Sequence, residues 1–183
     1  KVLSHVQRLE VRAQIAFYKQ VRKVMQFGTF WRGEPEKPNK VVWHCVSPAG
    51  DLAISGFYQT QTSASEGFDR LRVPGLRERR RYRVSTHPQR VFIRRFGGLI
   101  HHVLPLRLHP EGYLLGLLNR RYALFDGRET YDATGQTLAS GVLLQNQFLG
   151  SGYSKDIRLL GDFGSTLYVT QALEQSETIS AGA

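Results

Sequence analysis

The stretch IAFYKQVRKVMQFGTFWRG, from Ile15 to Gly33, changes from helical to strand periodicity. Before Gly28, apolar residues recur at steps of three and four, which predicts an amphipathic helix over residues 4–27. These apolar positions are Val6, Leu9, Ala13, Phe17, Val21 and Val24. Ser4, with Gln7 three positions later, is typical of a helix start, and Gly28 of a helix end. Such a helix buries its apolar side, either on the sheet that follows or on a neighbouring domain.

Residues 29–173 predict an antiparallel β domain, because short strand-like runs alternate with turn signals. Pro48-Ala49-Gly50 predicts a hairpin between KVVWHCVS and DLAISGFYQTQ, and Asp126-Gly127 predicts another within RYALFDGRETYD. TGQTLASGVLLQ fits a short helix or a strand, and STLYVTQAL fits a final strand. The polar tail, residues 174–183, is expected to be frayed. The predicted fold class is therefore mainly β: a Greek-key-like antiparallel β-sandwich preceded by one long amphipathic helix.

Composition limits the function classes. The chain of 183 residues has a formal net charge of +10, which indicates an anionic partner or a missing acidic part of the protein. The single cysteine, Cys45, cannot form an internal disulfide and fits a reducing compartment. The apolar runs are far shorter than the roughly 20 residues of a membrane-spanning helix, and the start, KVLSHVQRLE, does not resemble a signal peptide. Because the chain begins with Lys1, we expect a truncated or processed product.

RERRRYR, from Arg77 to Arg83, is the strongest cluster of charge. One hypothesis is a phosphate-binding patch in which Tyr82 stacks on bases. The alternative, which we favour, is an edge strand or loop whose arginines are solvated or pair with carboxylates of another domain. No nucleic-acid-binding motif with interleaved basic and aromatic positions supports the first hypothesis.

No residue is predicted to be catalytic, to bind a cofactor or to ligate a metal. His101 and His102 would point to opposite faces of a strand, as would His44 and Cys45, so neither pair can easily share one ion. The glycine clusters lack the spacing of dinucleotide or P-loop motifs. Most of the aspartates lie in turn-like sequence, and nothing selects a catalytic pair among them. They are Asp51, Asp69, Asp126, Asp132, Asp156 and Asp162.

The helix–strand junction also carries a resemblance. Its residues Phe17-Tyr18-Lys19, Arg22, Gln26 and Gly28 resemble the end of the last barrel helix in bacterial α-galactosidases of glycoside hydrolase family 36. Later segments resemble the family's C-terminal β domain in the same order. They are VVWHCVSPAGDLAISGFYQTQ, LRVPGL, RRRYRV, GQTLASG and GDFGS. FWRGEPEKPN departs from the family by lacking a leucine-serine-proline, the GQTLASG spacing is one residue shorter, and the arginine run has no counterpart that we can place.

The resemblance implies a retaining glycoside hydrolase, cytoplasmic and bacterial, that removes terminal α-linked galactose from raffinose-type sugars. It implies that residues 1–28 carry the last helix of a (β/α)₈ barrel and that residues 29–173 form a structural and interaction domain beside it. The nucleophilic and acid/base aspartates would lie upstream of Lys1, so this segment alone is expected to be inactive. The resemblance also implies a homo-oligomer, of which a tetramer is one form, with no cofactor and no membrane, and it does not favour nucleic acid as a partner.

Two other functions stay open from the residues alone. A free-standing basic β module would bind anionic ligands or nucleic acid through Arg79, Arg80 and Arg81. A carbohydrate-binding β-sandwich would need exposed aromatic residues as a platform for sugars. The candidates for that platform are Trp31, Trp43, Tyr58 and Tyr153.

Overall fold

The computed structural model describes residues 5–34, 36–63, 67–87, 90–91, 124–125, 128–147, 158 and 160–174. One long helix, α1, covers His5–Phe27, and a short helix, α2, covers Gly135–Ser140. The strands in the first half of the chain are β1 (Thr29–Gly33), β2 (Lys40–Val46), β3 (Leu52–Gln59), β4 (Arg70–Leu71), β5 (Arg81–Thr86) and β6 (Arg90–Val91). Those that follow are β7 (Leu124–Phe125), β8 (Thr130–Thr134), β9 (Val142–Leu143) and β10 (Gly164–Ala172).

Six strands form one antiparallel sheet in the order β1-β2-β3-β10-β5-β8. The last described strand, β10, lies between β3 and β5 and joins them into one sheet. Two short pairs, β4 with β9 and β6 with β7, lie outside it. The fold is therefore an antiparallel β-sandwich preceded by a long helix, as the sequence predicts.

The two faces of the six-stranded sheet carry different layers, because successive side chains of a strand alternate between faces. The first, called here the inner face, is covered by the segments around β4, α2 and β9, which contribute Leu71, Val73, Leu138 and Leu144. The second, the helix face, packs against α1. The main apolar core lies on the inner face and includes Val42, Val46, Ala53, Phe57, Tyr82, Val84 and Tyr168.

Helix α1 lies across the helix face. Val21 and Val24 are buried against Cys45 and Ile54, and Phe17 is partly buried beside them. The apolar stripe predicted from the sequence thus packs, in its second half, on the sheet that follows. Gly28 ends the helix, with its N–H donating to the carbonyl of Val24 at 2.8 Å.

The predicted turns have different outcomes. The hairpin around Pro48-Ala49-Gly50 is confirmed, since β2 and β3 pair in antiparallel register from Lys40 with Gln59 to Val46 with Ala53. TGQTLASGVLLQ contains both predicted alternatives, the short helix α2 followed by the strand β9.

The second hairpin prediction is wrong. Strand β7 pairs with β6 and strand β8 with β5, so the two runs that flank Asp126-Gly127 belong to different sheets. Local turn chemistry could not reveal this, because both partners come from earlier parts of the chain. Asp126-Gly127 itself lies outside the described residues, as do the strand-like runs of residues 92–123 and all but the first residue of the predicted frayed tail, 174–183.

Candidate functional site

A pocket opens on the inner face at the edge formed by β1 and β2. Its volume is about 300 Å³. The side chains of Val42, His44 and Phe57 come from the strands, and the walls come from the segments after β1 and around β4. Charged residues of both signs line it: Arg32, Glu34, Glu36, Lys37, Lys40, Asp69, Arg70 and Arg72. The pocket thus combines an apolar floor with a wall that is more highly charged than that of most small-molecule sites.

Trp31 lies at this pocket with 43% of its surface exposed. It is paired with His44 across the β1–β2 ladder, so both side chains lie on the inner face. The indole also lies close to Gly75, which has a φ of +73°. A Cβ at Gly75 would stand 3.3 Å from the indole Nε1, so this position favours glycine both for its backbone and for the room it leaves.

His44 is one of the buried polar groups of the pocket, with Lys40 and Asp69. Only 1% of its surface is exposed, and its Nδ1 lies 2.8 Å from the hydroxyl of Ser55. Its Nε2 lies beside Gly33, where an added Cβ would stand 3.1 Å away. Burial lowers the pKa of His44 to about 4, so the ring is neutral near pH 7. A neutral imidazole offers one donor and one acceptor nitrogen.

Asp69 joins three cations behind the pocket. Its carboxylate accepts hydrogen bonds from Lys37 Nζ at 2.8 Å and from Arg158 Nη2 at 2.6 Å, and Lys40 Nζ lies 4.0 Å away. The Nε2 of Gln147 donates to it at 3.1 Å. Burial alone would raise the pKa of the Asp69 carboxyl, but the hydrogen bonds from Lys37 and Arg158 lower it to about 2.

Arg158 continues this charged cluster into the core. It is 1% exposed, and its Nε donates to the carbonyl of Gln145 at 2.8 Å and lies 3.8 Å from Glu129. Glu129 also accepts a hydrogen bond from the hydroxyl of Tyr168 at 3.1 Å. Within the described residues, Arg158 Nη1 and the hydroxyl of Tyr131 have no hydrogen-bond partner. The cluster therefore holds its carboxylates in ion pairs, which makes them poor candidates for a nucleophile or an acid catalyst.

A second surface lies on α1. Val11, Ile15, Tyr18 and Met25 are spaced by four, three and seven residues, which places them on one side of the helix. We call them the outer stripe; each is between 37% and 49% exposed. The sheet covers the other apolar side through Val21 and Val24. A helix that is apolar on two sides is typical of a buried element of a larger structure.

An aromatic strip lies on the helix face beyond α1. Phe30 and Trp43 stack with ring centroids 6.3 Å apart, and Trp43 and Tyr58 lie 6.5 Å apart. Trp43 lies flat over Gly56, where a Cβ would come within 2.3 Å of the indole. Phe30 is 61% exposed, so the strip presents aromatic surface to solvent.

The arginine run does not form the stacking site of the first hypothesis. Tyr82 is fully buried, and its hydroxyl donates to the carbonyl of Gly50 at 2.6 Å and accepts from the N–H of Arg77 at 2.9 Å. Arg83 pairs with Asp132 of the neighbouring strand through two hydrogen bonds of 2.8 and 2.9 Å. Since β5 lies inside the sheet, next to the edge strand β8, the edge-strand alternative is wrong, whereas residues 77–80 lie in the loop before β5.

The remaining residues considered in the sequence analysis are metal-ligand candidates, turn aspartates and an aromatic residue. In the part of the chain that the structure describes, no group of three His, Cys, Asp or Glu residues could hold a metal ion. Asp51 lies in a turn where its N–H bonds the hydroxyl of Ser47 at 3.1 Å, as its sequence predicts. His101, His102 and Tyr153 lie outside the described residues.

Two functional candidates were missed by sequence reasoning. Asp69 was grouped with the turn aspartates, although it is 4% exposed and links three cations. No local signal marks it, because its partners Lys37 and Arg158 are distant in sequence. The outer stripe of α1, in contrast, has a helical spacing that is visible in the sequence, but the apolar stripe that includes Val21 and Val24 dominates the pattern. Trp31 and Trp43, predicted to share a sugar platform, lie on opposite faces of the sheet.

Fold and surfaces together define a β-sandwich domain with an attached helix that has a second side to bury. Residues 40–169 match the Glycosyl hydrolase family 36 C-terminal domain, which is more than half of the chain. The chain therefore belongs to that family. No helix within the described residues is long and apolar enough to cross a membrane.

Relatives of known sequence agree with the family. The chain is 31% identical over 84 residues to alpha-galactosidase AgaA of Geobacillus stearothermophilus, which is 45% of this chain and 12% of that protein. It is 32% identical over 81 residues to alpha-galactosidase 1 of Pediococcus pentosaceus, which is 44% of this chain and 11% of that protein. The chain thus matches only a small part of the length of these relatives.

Solved structures agree with the fold. The alpha-galactosidase from Lactobacillus brevis matches 94% of this chain and 17% of its own, with a TM-score of 0.57 at 22% identity. A variant of Geobacillus stearothermophilus AgaA in complex with raffinose matches 93% of this chain and 16% of its own, with a TM-score of 0.56 at 22% identity. At this level of identity, the similarity establishes the fold alone.

Proposed function

We propose that this chain is the carboxy-terminal part of an alpha-galactosidase that hydrolyses terminal α-linked galactose from raffinose-type oligosaccharides. Its place would be beside an upstream (β/α)₈ barrel of the same polypeptide, which would carry the catalytic aspartates. Family membership and the two alpha-galactosidase relatives support the activity of the whole protein. The complex of a similar structure with raffinose supports the substrate class.

The two-sided apolar character of α1 carries the proposal. The helix packs on the sheet through Val21 and Val24. Contact with the sheet therefore does not explain why Ile15 and Tyr18, on another side of the helix, are apolar. A barrel that packs on the outer stripe would remove this surface from water, which is the main favourable term in association. The helix would then be shared by two cores and would hold the β domain rigidly against the barrel.

The role of the chain in that protein would be structural. The buried carboxylates, Asp69 and Glu129, are committed to Arg158 and its neighbours, and hydrolysis of a glycoside needs two carboxyl groups on opposite sides of a bond. We propose that the chain alone is inactive and that it stabilises the barrel. The exposed aromatic strip at Phe30 supports a further contact, and we propose that this contact belongs to a homo-oligomer such as a tetramer.

A cytoplasmic, bacterial location completes the proposal. Cys45 is free and buried, which fits a reducing compartment. The relatives named above are bacterial proteins.

Deletion tests the structural role in the protein expressed from the complete coding region. Removal of residues 29–183 should abolish soluble activity on a nitrophenyl α-galactoside, and the separate 183-residue chain should hydrolyse none of it. Full activity and solubility after the deletion would overturn the role.

A pair of point variants sharpens the same test. Ile15→Glu places a charge in the outer stripe and should lower the soluble activity strongly, because an unpaired charge is costly to bury. Lys23→Glu changes an exposed position on the polar side of the same helix and should leave the activity unchanged. Equal effects of both variants would contradict a barrel contact at the outer stripe.

A further inference from the structure

We propose that the pocket beside Trp31 binds a neutral hexose, as a site separate from the one that hydrolyses the substrate. The site is built from the described residues of this chain alone, so it holds whether or not the chain is joined to a barrel. The occupant is identified from the shape of the cavity, its aromatic wall, its buried imidazole and the pairing of its charges.

The cavity suits a small polar molecule. Its volume of about 300 Å³ lies at the lower end of small-molecule pockets. Val42 and Phe57 supply an apolar floor, while Glu34, Lys37 and Arg70 supply donors and acceptors at the walls. A pyranose matches this division, because its ring has C–H faces and its rim carries hydroxyl groups that donate and accept.

Trp31 provides the flat apolar surface that a sugar ring needs. Its indole is 43% exposed, and one edge lies beside Gly75, where an added Cβ would stand 3.3 Å from Nε1. Aromatic side chains contribute large contact area at low entropic cost. Nothing in the core of the domain requires this residue, since Trp31 is absent from both apolar clusters of the described residues.

His44 provides the buried polar group. Its Nδ1 is held by Ser55 at 2.8 Å, which fixes the ring and aims Nε2 at the space beside Gly33. Within the described residues, the Ser55 contact is the hydrogen bond that His44 makes, so Nε2 is left for a ligand. A hydroxyl of a sugar in the pocket can donate to this nitrogen or accept from it, depending on the tautomer of the ring.

Three of the five cations that line the pocket among the described residues are held in ion pairs. Lys37 and Lys40 are directed to Asp69, and Arg72 pairs with Glu36 at 2.7 Å. These three cations are thus already paired with carboxylates, and an anionic ligand would compete with Asp69 and Glu36 for them. Hydroxyl groups, in contrast, can accept from these cations and donate to the carboxylates without disturbing the ion pairs.

Calorimetric titration of the 183-residue chain with D-galactose tests the proposal, with D-glucose and inorganic phosphate as the other probes. We expect saturable binding of a hexose with millimolar affinity and no binding of phosphate. Trp31→Ala should weaken it by at least about tenfold, as loss of an aromatic anchor does. Phe30→Ala is the matched control, because Phe30 is the next residue of β1, on the opposite face, and it should leave the affinity unchanged.

A second variant separates the site from general packing. His44→Gln keeps a polar group in the pocket but shortens its reach, and it should weaken hexose binding several-fold while the thermal midpoint shows whether the fold is kept. Absence of saturable binding by either hexose, tighter binding of phosphate, or an equal loss in Trp31→Ala and Phe30→Ala would each overturn the proposal.

Discussion

The two faces of the six-stranded sheet differ in how completely they are closed. The inner face packs against elements of the same domain and buries a charged cluster around Asp69 and Arg158. Among the described residues, the helix face packs against α1 alone, and beyond it lie exposed aromatic residues and the exposed outer stripe. The inner face is thus covered by the domain's own core, with a pocket at its edge, whereas the helix face leaves apolar surface exposed that a partner could cover. The difference indicates which face serves the fold and which serves assembly.

Removal of the Asp69 carboxylate should have the largest effect on the inner face. Asp69→Ala leaves Arg158 and Lys40 buried without their main counter-ion, and loss of one partner of a buried ion pair costs about 3–5 kcal/mol. Urea unfolding followed by circular dichroism measures this loss. The control is Asp132→Ala, which breaks the exposed pair with Arg83 and should change stability little. Equal losses in the two variants would show that the cluster is not the centre of this face.

His44 should make the stability of the same face depend on pH. Burial lowers its pKa from 6.5 to about 4, so the unfolded chain takes up the proton first as the pH falls. Its contribution is complete above pH 6.5 and is lost between 6.5 and about 4, a loss on the order of 2–3 kcal/mol.

The measurement is the urea midpoint from pH 7 to pH 4 for the unmodified chain and for His44→Gln. The difference between the two chains isolates His44 from His87, whose pKa burial also lowers. A constant difference across this range would contradict the burial of a neutral ring.

The two sides of α1 should respond differently to truncation in the separate chain. Val21→Ala removes buried surface against the sheet and should cost about 2 kcal/mol. Ile15→Ala lies in the outer stripe and should stay within about 0.5 kcal/mol of the unmodified chain. Chemical unfolding of both variants is the check, and a large loss at Ile15 would mean that the outer stripe is already covered within this chain.

Tyr82→Phe should cost about 1–2 kcal/mol, because it leaves the carbonyl of Gly50 and the N–H of Arg77 without their shared hydroxyl. Thermal unfolding checks this value. An unchanged midpoint would mean that water replaces the hydroxyl at this turn.

Prediction from the sequence succeeds where the determining contacts are local. The hairpin at Pro48-Ala49-Gly50 and the helix before Gly28 follow from turn residues and from periodicity. The pairing of Leu124–Phe125 with Arg90–Val91 joins segments far apart in the chain, so turn chemistry at Asp126 could not give it. The family itself was recognisable from the order of its motifs.

The candidate sites were less accessible to prediction than the fold. The pocket arises because Trp31 and His44 meet across a ladder and because the segment of Asp69 folds over them. Each residue alone looks ordinary in sequence. The two-sided character of α1 was present in the spacing of Val11, Ile15 and Tyr18, and it became clear once the sheet was seen to use only one side.

Thiol labelling at the outer stripe tests the central claim most directly. Cys45 is buried and so contributes little background, which lets Ile15→Cys report on the stripe and Lys23→Cys on the polar side of α1. In the separate chain both new thiols should react quickly. In the protein expressed from the complete coding region, the thiol at position 15 should be protected and the thiol at position 23 should still react. Equally fast labelling at both positions in that longer protein would contradict a helix shared between this domain and a barrel.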